Sequence, residues 1–211
     1  MNKQTKIIGT LLGAALAAAS GVALAESTYG YSAAGTGAVS ANASVNLRVA
    51  VPKLILLRVG SQTAVDEITW TNTPSYTPSW STSPTTLVDG NNQAANWDGV
   101  APSLSITSTT NALAVYAWHN GGAAGATLTF TGTAFTPAGG PTLTNITVAD
   151  TALGTGTAIA HPGANLGTAT AQNLTTNTLY SRTWTYTLGG TPASWAAGTY
   201  SGSVTYTATT L

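Results

Sequence analysis

Two histidines, six carboxylates and six tryptophans are nearly all the chemistry-bearing material in this sequence, and there is no cysteine. His119 stands in "VYAWHN", where an alternating stretch ends, and His161 stands in "AIAHPGAN". Nucleophilic catalysis needs a hydroxyl or thiol beside a base that a third group orients. No Gly-x-Ser-x-Gly elbow is present, and the serines are too numerous for one to stand out. The histidines share no short metal-binding spacing. The expectation is a protein that is not an enzyme, with both histidines as surface or strand-end groups.

The stretch "VDGNNQAANWDG" (88–99) gathers the hard oxygens of Asp89, Asn91, Gln93 and Asp98. A calcium loop of the EF-hand kind needs glycine at its sixth position and glutamate at its twelfth, and this stretch has neither. Asp-Gly and Asn-Asn are ordinary turn formers, so no metal and no other cofactor is expected. The tryptophans point instead to binding. Trp184 alternates with Tyr180 and Tyr186, as a core-facing strand would, and Trp118 also falls in a strand pattern. Trp80, Trp97 and Trp195 lie in segments rich in Asn, Thr, Ser, Ala and Pro. There they serve either as contacts for glycans, stacking on sugar rings, or as caps on the ends of the fold.

Charge excludes one partner class. Only 6% of residues are charged. Beyond the first 25 residues four bases (Arg48, Lys53, Arg58, Arg182) face six acids, a net charge of −2 with no basic stripe, so no nucleic acid partner is expected. The first residues have their own logic. "MNKQTK" is basic, "IIGTLLGAALAAASGVALA" is apolar, and Ala23-Leu24-Ala25 has the small-residue pattern of a cleavage site. Residues 1–25 are therefore expected to be a signal peptide and the remainder to be exported. Without cysteine, no disulfide can staple the exported chain, so packing and strand pairing must hold it.

Period-two alternation dominates the rest of the chain. It predicts strands over 43–51, 54–59, 65–70, 102–109, 112–119, 126–132, 143–149, 179–188 and 199–208. Thr, Val, Tyr and Trp fill them, as a pleated half-buried surface prefers. Turn clusters such as "NGGAAG" and "TPAGGP" separate them. The expected fold is all-β, an antiparallel sandwich, with 71–101 and 150–178 as long irregular segments free to carry a surface role.

One apolar-or-small register runs from Tyr29 through Tyr31, Ala33, Gly35, Gly37 and Val39 to Val51. As a single strand it would measure about 75 Å, against ~20 Å for an ordinary one. We therefore expect 43–211 to form the domain, with 43–51 as its first strand, and 26–42 to project as an extended arm. The closing stretch "AAGTYSGSVTYTATTL" alternates nearly throughout. Its Tyr200, Val204 and Tyr206 would wall a groove beside a sheet edge that something must cover.

"ASVNLRVAVPKLILLRVG" is an alternating strand, a proline and an aliphatic run, and "AAGTYSGSVTYTAT" is a tight turn into a final strand. In these two stretches the sequence resembles subunits of bacterial chaperone–usher pili, the cysteine-free colonisation-factor type and more loosely the spore-coat-U-like type. The resemblance implies an incomplete immunoglobulin-like sandwich and a structural subunit of an adhesive surface fimbrium. It implies donation of Tyr29, Tyr31, Ala33, Gly35, Gly37 and Val39 to the groove of an identical or homologous subunit. Its further partners would be a periplasmic chaperone and an outer-membrane usher, while the loop tryptophans add host or surface glycans as an expected partner. The competing expectation is a secreted monomeric domain that binds carbohydrate or cell wall through its loop tryptophans.

Overall fold

The computed structural model describes residues 27–211, and the expected signal peptide lies outside them. Two units separate, one reaching to Val51 and the other spanning Pro52–Leu211.

The larger unit is an all-β sandwich. Its first sheet has four antiparallel strands in the order β1 (Ile55–Val59), β5 (Ala112–His119), β9 (Tyr180–Leu188), β7 (Ile146–Ala152). The second sheet has the order β10 (Ser201–Thr210), β6 (Ala126–Thr136), β8 (Gln172–Leu174). The first order corresponds to strands A-B-E-D of the immunoglobulin arrangement, with β6 and β10 in the places of C and F. Alternation assigns the faces. Val115, Ala117 and His119 of β5 point inward, opposite Val59, Leu57 and Ile55 of β1. Tyr116 and Trp118 point outward, and the Arg58 guanidinium lies 4.2 Å above the Tyr116 ring. Leu128 and Phe130 of β6 meet Trp184, Tyr186 and Leu188 of β9 in one core. Trp184 is fully buried and its indole N–H donates to the Ile159 carbonyl at 3.1 Å.

A third sheet, in the order β3 (Thr85–Thr86), β2 (Trp70–Tyr76), β4 (Ser103–Ser108), is inserted between β1 and β5. Trp70 and Ile106 pack its base against the core. The sequence pattern placed β4, expected at 102–109, but missed β2 and β3, because β2 reads "WTNTPSY", polar and interrupted by a proline. It placed a strand at 65–70 and an irregular segment beyond, where the ladder in fact begins at Trp70. β8, only three residues long, was likewise hidden within 150–178.

Two expectations about the leading segment are corrected. Residues 43–51 are not the first strand of the domain: they pair with nothing among the described residues, and Leu47 is 89% exposed. Pro52 brings no N–H to a ladder, and Leu54 N–H donates to the Asn120 side chain, so regular pairing starts at Ile55. Nor is 28–41 one extended strand. Gly35 N–H donates back to the Ser32 carbonyl at 3.2 Å, and Gly35 and Gly37 have φ of +65° and +84°. Those angles are open to glycine and costly to other residues, so the glycines form a reversal rather than one face of a ribbon. Thr28 and Asn42 meet across it: the threonine hydroxyl donates to the Asn42 carbonyl at 2.6 Å and accepts from its N–H at 2.8 Å.

The assignment of faces has a direct thermodynamic consequence. Trp184→Ala should lower unfolding stability by about 3–5 kcal/mol through the cavity it leaves. Leu47→Ser, on exposed backbone, should stay within about 0.5 kcal/mol. Urea denaturation of the two variants beside the parent measures both.

Candidate functional site

A strand has donors and acceptors on both edges, so each edge must be paired, covered or blunted. The outer edges of the two sheets belong to β1, β7, β10 and β8. The outer edge of β7 is taken by the following loop, where Leu166 N–H donates to the Ile146 carbonyl and Asn165 bridges Thr147. The second edge of β6 is taken by β8. β10 differs. Nine of its ten residues pair with β6, and its other edge has no backbone partner among the described residues. Its sequence "SGSVTYTATT" contains no charge and no proline, and its one irregularity is the register shift between Ser201 and Ser203 at its start.

β1 lies beside this edge without pairing to it. The chain enters the sandwich at the C-terminal end of β10, where Lys53 Nζ approaches the Leu211 carbonyl at 3.4 Å. Ile55, Leu57 and Val59 from β1, with Val204, Tyr206 and Ala208 from β10, all pack on the core, yet none of the six is buried. The central strands are closed over and this seam is not. It is a partly open apolar seam bordered by free backbone groups.

Beneath β10 lies a polar thread. His161 reaches the core from the loop after β7, between Phe130, Trp184, Tyr186 and Tyr206, with ring centroids 4.9 to 6.3 Å away. Its Nδ1 is 2.6 Å from the Gly163 carbonyl, which only accepts, so Nδ1 carries the proton. Nε2 then accepts from the Tyr206 hydroxyl at 2.8 Å, which accepts from the Tyr186 hydroxyl at 2.9 Å. Burial lowers the pKa of His161 below its ordinary 6.5, while the Gly163 hydrogen bond opposes that shift. Burial also pushes Tyr186 up to about 12 and raises Tyr206 further, helped by its neighbour Tyr186. His119 is buried too: its Nε2 lies 3.0 Å from the Leu174 carbonyl and its Nδ1 accepts from Gly121 N–H. His119 does end β5, as expected from sequence, although it is buried; His161 is neither a surface nor a strand-end group. Among the described residues no three His, Asp or Glu side chains converge in a metal-binding group.

The groove residues expected from sequence separate. Val204 and Tyr206 are on β10, facing the core, while Tyr200 precedes the strand and lies against Gly140, its hydroxyl donating to the Ala196 carbonyl at 2.6 Å. It closes one end of the sandwich instead of walling the groove. Among the tryptophans, Trp80 and Trp97 are exposed, whereas Trp195 is half-buried against the core and is no open ligand contact. Sequence reasoning singled out His161 but missed its burial. The available signal was the apolar pair around it, Ile159 and Leu166, both of which are buried.

Compared with protein-family models, curated proteins and solved structures, the chain matches none.

His161 makes stability depend on pH with a definite sign. Its folded pKa lies below the unfolded value, so between the two the unfolded chain binds more protons. Stability should be full above pH 6.5 and fall on acidification, by at most about 1.4 kcal/mol per pH unit for one group. His161→Gln should be less stable near neutrality and should flatten that slope. Chemical denaturation at a series of pH values tests both.

Proposed function

We propose that the protein is a structural subunit of a surface fibre, assembled by adding an extended segment of one copy to the β10 edge of the next. The observation that carries this is the edge itself: ten residues, uncharged, free of proline and flanked by half-open apolar side chains. Such an edge is an invitation to strand pairing, and its apolar seam rewards alternate side chains that fill it.

The donor in this reading is 43–51, not the 28–41 segment expected from sequence. Val45, Leu47, Val49 and Val51 repeat at a spacing of two, and all are at least three-quarters exposed. Burying four such side chains contributes about 6–12 kcal/mol gross, an upper figure before ordering costs. Tyr29, Tyr31 and Val39, exposed on the glycine reversal, then stand outside the donated strand. An addition of one copy to the next, head to tail, is heterologous and propagates as a filament unless its rotation closes a ring. An exported chain with an open edge needs a temporary strand before assembly. That is the role of the chaperone and usher implied by the resemblance to fimbrial subunits.

Leu47→Asp with Val49→Asp in the full exported chain should abolish heat-sensitive polymers on a gel of unheated material. The denaturation midpoint of the domain should remain that of the parent, because both side chains lie outside it. Polymers of normal length from this variant would overturn the assignment.

A further inference from the structure

The hairpin inserted between β1 and β5 presents aromatic surface that its own fold does not use. Trp80 is 68% exposed and Trp97 is 56% exposed, while Trp184 in the core is fully buried. The two come from facing segments of the loop region between β2 and β4. Pro78 bridges Trp97, and Ser79 N–H donates to the Asn96 carbonyl at 2.9 Å. Trp80 sits within a turn closed by Ser81 N–H on the Pro78 carbonyl at 3.1 Å. The Trp97 indole N–H donates to the Val100 carbonyl at 2.6 Å, and Val100 N–H donates to Asp98 Oδ1 at 2.9 Å. The polar atom of that indole is satisfied internally, and more than half of the residue's surface remains open to solvent.

An exposed patch containing large aromatics on hydrogen-bonded backbone marks a recognition surface. The sequence of the segment that carries it selects the ligand class. Residues 71–101 contain no Lys, Arg or His, and their charges are the carboxylates of Asp89 and Asp98. An anionic ligand would meet like charge with no cation to answer it. Asn91, Asn92, Gln93 and Asn96 add amides that both donate and accept. A neutral sugar matches this set: its C–H face lies on an indole, and its hydroxyls reach amides and carboxylates. We propose that this hairpin binds neutral glycans, with Trp80 and Trp97 as stacking platforms.

The proposal is independent of strand donation. The test is affinity electrophoresis of the exported chain through gels containing mannan, galactan or soluble chitin oligosaccharides, with polygalacturonate as the anionic comparator. At least one neutral glycan should retard the protein, and polygalacturonate should not. Trp80→Ala and Trp97→Ala should each weaken retention roughly tenfold, the upper range for one aromatic stacking contact. Trp97→Phe should keep most of it, and thermal midpoints should not move. The assembly-deficient Leu47→Asp, Val49→Asp chain should bind glycan like the parent, so failure of fibre assembly and failure of glycan binding are told apart. No retention by any neutral glycan, equal retention by polygalacturonate, or unchanged retention of the alanine variants would overturn the proposal. So would loss of polymers in place of glycan binding, which would make the tryptophans a contact between copies.

Discussion

Backbone hydrogen bonding at the outer edge of β10 is the constraint around which the sandwich is arranged. The strand is held on one side by β6, in register from Ser203 to Thr210, and has no ladder on the other. The inward side chains of β1 and β10 cannot be closed over by neighbours that are not there. Hence Ile55, Leu57, Val59, Val204 and Ala208 stay half open, while Val115, Leu128 and Trp184 on the inner strands are sealed. The apolar seam and the free backbone are one fact seen from two sides. An added strand would answer both, because its amides pair with β10 while its alternate side chains enter the seam.

What holds β10 in place from behind is mostly aromatic. Tyr206 packs on Phe130 and Trp184, with ring centroids 5.9 and 5.1 Å apart, and its hydroxyl takes part in the Tyr186–Tyr206–His161 thread. Each member has a partner while the histidine is neutral, so the thread adds specificity without a buried charge. Charge does little elsewhere. Arg182 and Asp150 approach to 3.2 Å, but Nε is not aligned for a hydrogen bond, leaving a half-exposed Coulomb contact of at most about 1 kcal/mol. With no disulfide available, packing, backbone ladders and this small polar thread carry the fold.

Two further regions present surface that the sandwich does not need. The leading unit exposes an alternating aliphatic row, and the hairpin between β1 and β5 exposes indole. Their chemistry differs. The row has the spacing of a strand and suits a sheet edge, while the tryptophans sit in turns where no ladder could use them. The two proposals, assembly and recognition, therefore draw on separate parts of one chain.

Much of the sandwich was legible in period-two alternation. β1, β4, β5, β6, β9 and β10 fall on expected strands, and in β4, β6, β9 and β10 apolar or aromatic residues alternate with Thr and Ser. Alternation failed where it was weak, at Pro74 in β2 and in the three residues of β8. It misled at 43–51, whose pattern is as regular as any in the chain but which the fold leaves unpaired. It also could not reveal that His161 is buried. A repeat of two says which residues share a face, because that follows from bond geometry between near neighbours. It does not say what lies against the face. That depends on chain far away, as when Lys53 comes to Leu211 across 158 positions, or His161 meets a tyrosine 45 residues on. Composition and local pattern thus determined an all-β, charge-poor sandwich. Only tertiary packing decided which edge stays open and which strand-like segment stays out, because an edge is defined by the neighbour it lacks.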